Sequence, residues 1–77
     1  MTTPQTVAEW LIEKIRAEGT LHEEEASYLL EKQFGSEWVH VDVTGRMAVS
    51  QDVLKRLRQI HGGTIQWDNS ARCWSVL

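Results

Sequence analysis

At 77 residues with one cysteine, Cys73, the chain has the length of a single domain, expected over residues 1–77, and no means of forming an intrachain disulfide. Its 42% hydrophobic and 25% charged content is that of a folded domain rather than a disordered one, and no stretch approaches the ~18 apolar residues of a membrane span. The net charge of −3 argues against a strong nucleic-acid binder, yet it is unevenly spread: residues 1–49 carry −5 and residues 50–77 carry +2.

Residues 1–5 show neither the basic region nor the apolar run of a signal peptide. With the lone thiol, this points to a reducing, cytoplasmic setting. Thr6-Val7-Ala8-Glu9 reads as a capping box, and Pro4 suits a helix entrance or the first helical position. Val7, Trp10, Leu11 and Ile15 then share one face of an amphipathic helix that Gly19 ends, expected over residues 5–18. Thr20-Leu21 is a short link. Glu23-Glu24-Glu25 is a solvated first turn whose charge suits a helix N-terminus. Ala26, Leu30 and Phe34 follow at helical spacing, so a second helix is expected over 23–34, ended by Gly35.

Residues 38–43 alternate, with Val39, Val41 and Val43 on one side and Trp38, His40 and Asp42 on the other. Thr44-Gly45 is a turn signal and Met47-Ala48-Val49 returns as a short strand. Ser50 is an N-cap for a third helix over 51–61. Val53, Leu54, Leu57 and Ile60 form its apolar face, and Gly62-Gly63 stops it. Residues 64–67 and 72–76 make a last hairpin around the turn residues Asp68-Asn69-Ser70-Ala71. Three helices and a terminal hairpin stand in the winged-helix order. The expected class is therefore α+β and winged-helix-like, with an extra hairpin at about 38–49 inserted between helices two and three.

Val7-Ala8-Glu9-Trp10, Gly19-Thr20-Leu21, residues 34–39 (FGSEWV), Val53-Leu54-Lys55, Ile65-Gln66-Trp67 and the late Trp74 together resemble an uncharacterised family of small proteins found in integron cassettes, prophages and bacterial genomes. The resemblance spans roughly residues 7–75. It implies a compact fold and a bacterial or phage source, and it brings no catalytic residues with it.

The chemistry-bearing residues are sparse. His22, His40, His61 and Cys73 lack the close spacing of a zinc site, so no metal or other cofactor is expected. In their ordinary roles His22 caps the second helix, His61 sits at the end of the third, and Cys73 packs on the strand face opposite Trp74. No nucleophile elbow, phosphate loop or helical zinc motif occurs. A non-enzymatic binding module is the leading expectation, with a protein partner or a second copy of the chain favoured and no small-molecule ligand or membrane expected. Trp38, His40 and Val41 are its candidate contacts, because Trp38 faces away from the valine row and is the tryptophan expected to be most exposed.

The alternative is a DNA-binding regulator using Gln51, Lys55, Arg56, Gln59 and Arg72, with phosphates met by the bases and base edges by the glutamines. Those residues are equally the wet side of a helix, with Arg72 paired to an acid. A third reading, inhibition of host machinery, follows from the mobile-element resemblance. Trp10 is expected in the core, and Trp67 and Trp74 are expected either to pair across the last hairpin or to enter the core together.

Overall fold

Apolar stripes on three helices and one face of a small sheet meet in a single core in the computed structural model, which describes residues 2–77. The elements are α1 (Pro4–Glu18), β1 (Thr20–His22), α2 (Glu23–Phe34), a 3-10 turn (Ser36–Trp38), β2 (Val39–Val41), β3 (Met47–Val49), α3 (Gln51–Ile60), β4 (Ile65–Asp68) and β5 (Cys73–Val76). This is the expected α+β arrangement of three helices, a hairpin between α2 and α3, and a C-terminal hairpin. No helix among the described residues is long and apolar enough to cross a membrane.

α1 starts earlier than the capping box at Thr6 suggests. Thr3 is the N-cap, and its Oγ1 accepts from the Thr6 N–H at 3.2 Å. Pro4 then takes the first helical position, where its missing N–H costs nothing. Gly19, at φ 82°, ends the helix with its N–H on Ile15 O at 2.8 Å. A side chain there would strain the backbone.

The expected link at Thr20-Leu21 is instead a strand. β1 pairs antiparallel with β5, placing Leu21 opposite Trp74, and the three-stranded sheet runs β1-β5-β4. Two further backbone bonds extend the β1–β5 ladder, Val76 N–H to Gly19 O at 3.0 Å and Glu23 N–H to Arg72 O at 2.9 Å. Pairing satisfies the backbone of a segment whose Leu21 is buried, which is why a chain this short does not leave it as a loop.

Val7, Leu11 and Ile15 of α1, Leu30 of α2, Val49 of β3, and Val53 and Leu57 of α3 fill the core, closed by Ile65 and Trp74 of the sheet. α3 lies chiefly against α1, and α2 lies chiefly against β3. Trp67 and Trp74 do pair across the last hairpin, centroids 4.9 Å apart, with Trp74 buried and Trp67 39% exposed.

Candidate functional site

Beyond the packing of Val49 and Val39 on the core, one arginine ties the β2–β3 hairpin to the body. Asp42 ends β2 because its Oδ1 accepts from the Thr44 N–H at 2.9 Å, the Thr44 hydroxyl at 2.6 Å and the Arg46 N–H at 3.1 Å. Its Oδ2 lies 3.2 Å from Arg72 Nη2, which also reaches Glu23 Oε1 at 2.7 Å. The Thr44 hydroxyl first, then the backbone N–H groups of Arg46 and Thr44 and the Arg72 charge, hold the Asp42 carboxyl below its ordinary value of 3.8, outweighing the opposing effect of partial burial. Arg72 itself sits at φ 52°, in the left-handed region, so the turn before β5 aims its side chain at these two acids.

The outer edge of β2 is open. Asp42 N–H bonds to Arg46 O at 2.8 Å and Ser50 N–H to Trp38 O at 2.9 Å. Because hydrogen-bonded and non-bonded pairs alternate along an antiparallel ladder, His40–Ala48 is the bonded pair between them, while Val39–Val49 and Val41–Met47 are not bonded. The N–H and C=O groups of Val39 and Val41 therefore point away from β3. Val39 N–H is taken by Ser36 O. Among the described residues Val41 has both groups free, and β2 has no strand on that side.

The side chains along this edge are apolar and uncovered. Val41 is 63% exposed and Val43 fully exposed. Met47 lies opposite Val41 and shares a shallow groove with the exposed Tyr28, edged by Glu24, Glu25, Glu31 and Arg46. Apolar exposure on an unpaired edge is what a strand-adding partner covers.

Of the three protein-contact candidates, His40 and Val41 are exposed on β2. Trp38 is not the exposed tryptophan. It belongs to the 3-10 turn and packs against the core, its indole Nε1 buried without a hydrogen-bond partner among the described residues. Gly35 ends α2 at φ 112°, a backbone conformation that favours glycine, and the turn after it rolls the Trp38 ring inward, out of the strand alternation. Strict alternation fails there because residue 38 precedes the strand.

Gln51, Lys55, Arg56 and Gln59 are exposed on α3, where Arg56 Nη1 donates to Gln59 Oε1 at 3.3 Å. Arg72 stands apart from them, engaged by two carboxylates. Glu23 is also not the solvated residue expected at that helix start. It is 5% exposed and paired with Arg72, whereas Glu24 and Glu25 are exposed. His22 occupies the N-cap position of α2 without a side-chain cap bond. His61 follows α3, its Nδ1 accepting from Gly63 N–H at 2.9 Å. Asp42, Val43, Tyr28 and Met47 were not singled out from the sequence as contacts. Asp42 and Val43 lay within the alternation that marked the hairpin, while nothing local linked Tyr28 to Met47.

A separate open cleft of about 410 Å³ lies between α3 and the sheet, bordered by Leu54, Arg58, His61, Trp67 and Glu23. Among the described residues no three His, Cys, Asp or Glu side chains gather closely enough to hold a metal ion.

A family model described as a family of unknown function (DUF6953) matches residues 3–76. No curated protein and no solved structure matches the chain. The chain belongs to DUF6953.

Proposed function

We propose that this DUF6953 member is a non-enzymatic protein-interaction module that takes an extended strand of its partner onto the open edge of β2. The observation that carries the reading is Val41: its backbone N–H and C=O are unpaired among the described residues, and its side chain is 63% exposed on a strand that pairs on one edge. Added strands draw affinity from main-chain hydrogen bonds and selectivity from alternate side chains. Val41, Met47 and Tyr28 supply that apolar lining, with the fully exposed Val43 in the adjoining turn, and His40 faces the other way. Arg72 holds the hairpin in place, so the edge is presented in a fixed orientation. The reading places the protein in a bacterial cytoplasm, in keeping with its free, buried Cys73, and the likeness to mobile-element proteins makes a host protein one candidate partner.

The test is photocrosslinking from a benzoylphenylalanine placed at Val43, with Gln59 as the control position, in cells making the full chain. Protein adducts are expected from position 43 and not from 59. They should re-form from purified components and vanish in Val41→Lys, since a lysine on an edge strand blocks pairing. Equal adducts from both positions, or none from 43, would rule the reading out.

A second reading is duplex DNA binding by α3. In its favour, Lys55 and Arg56 are exposed with Gln51 and Gln59 on the same helix, and none of the four is tied to an acid among the described residues. Against it, Arg72 is held by Glu23 and Asp42. It predicts DNA adducts from position 59 and salt-dependent binding lost in Lys55→Ala with Arg56→Ala.

A further inference from the structure

We infer that the strand added to β2 is β2 of a second copy, antiparallel and centred on Val41; this rests on the strand-edge reading above and names its partner.

The backbone restricts the register. An antiparallel pair related by a two-fold axis through a residue with both groups outward lets that residue exchange two hydrogen bonds with its own copy. Val39, Val41 and Val43 are in phase for such a bonded centre, whereas an axis through His40 or Asp42 would set that residue directly opposite its own copy, imidazole on imidazole or carboxylate on carboxylate. Val39 is excluded because its N–H already donates to Ser36 O and the 3-10 turn adjoins it. Val43 lies in the turn closed by Asp42, outside β2. Val41 remains, the last residue of β2.

That register is self-complementary on both faces. Val41, 63% exposed, meets Val41 of the second copy, a β-branched cross-strand pair at the centre of the seam. On the opposite face His40 lies directly across from Asp42 of the second copy, and the two-fold axis repeats the pair. An imidazole therefore faces a carboxylate on both sides of the axis, and no like charges meet. Thr44, Arg46 and Arg72 hold the Asp42 carboxylate in place before any partner arrives. The result is a continuous four-stranded sheet, β3-β2-β2-β3, with the Tyr28–Met47 groove of each copy beside the seam. Three residues of strand make a small seam, below the ~1,200 Å² of stable complexes, so the association is weak and reversible.

The test measures self-association of the full chain by sedimentation equilibrium up to about 1 mM, where a small interface is populated. It adds isotope-filtered NMR for contacts between His40 Hα and Asp42 Hα of different copies. The wild type is expected to dimerise and to show that contact. Val41→Pro removes only an outward N–H, so the hairpin ladder survives, as the amide spectrum will report, and dimerisation should be abolished. His40→Asp puts two carboxylates face to face and should weaken the dimer at least about tenfold, while His40→Lys restores the attraction and should stay within about threefold of wild type.

A wild-type monomer at every concentration overturns the inference, as does a dimer that survives Val41→Pro or responds alike to His40→Asp and His40→Lys. A monomer that still crosslinks from Val43 to a different protein overturns this inference alone and leaves the strand-edge reading standing.

Discussion

Arg72 Nη2 lies 2.7 Å from one carboxylate and 3.2 Å from another, on a backbone held at φ 52°. The side chain is 35% exposed, so the Glu23 pair is only partly shielded, but Glu23 itself is buried and would be left without a counter-charge if the arginine were lost. Arg72→Ala should therefore cost roughly 1–3 kcal/mol in urea unfolding, below the usual figure for a fully buried pair. Arg72→Gly should cost about 1 kcal/mol less than Arg72→Ala, because glycine relieves the left-handed backbone while losing the same two contacts. Asp42 has its own signature. Its carboxyl is held below the ordinary value, so its contribution is fully present above the unfolded pKa near 3.8 and is lost as pH falls through the lower folded value. Asp42→Asn should flatten the fall in stability below about pH 4, measured by urea unfolding across an acid series. A sequence reader could foresee an acid partner for Arg72. Naming Glu23 and Asp42, 49 and 30 positions away, required the folded chain.

β1 is the element whose role was least visible. Three residues after a glycine carry too short a pattern to distinguish strand from link, and only Leu21 hints at burial. In the fold, Leu21 sits opposite Trp74 and is 1% exposed. Leu21→Ala is expected to cost about 2–4 kcal/mol, the range for a core leucine, where a leucine in a surface link would cost little; thermal unfolding separates the two. The helices were far easier to read, since Val7, Leu11 and Ile15 or Val53 and Leu57 repeat over several turns and each repeat strengthens the last. The middle hairpin fell between these cases. Its alternation and its Thr44-Gly45 turn marked two strands, but β2 proved shorter than residues 38–43. Asp42 captures the turn's N–H groups and Trp38 is drawn into the core.

At the scale of the molecule, the chain divides into a body and an appended hairpin. The body is three helices on a three-stranded sheet with β5 at its centre, and the hairpin is two-stranded, packed on α2 and tied through Asp42 to Arg72. Local opening should therefore reach the hairpin first. Native-state hydrogen exchange is expected to show the ladder amides of His40 and Ala48 opening at lower free energy than those of β5, with the gap widening in Arg72→Ala. The sequence by itself determined the order of helices and hairpins and the stripes that face the core, because side-chain periodicity and turn chemistry are local and each element carries its own. Only the tertiary structure decided that β1 completes the terminal sheet, that Trp38 turns inward while Trp67 stays half in solvent, and that the edge of β2 is left bare. Those outcomes depend on which distant segments compete for the same backbone bonds and the same buried volume, and that competition is settled only when the whole chain closes around one core.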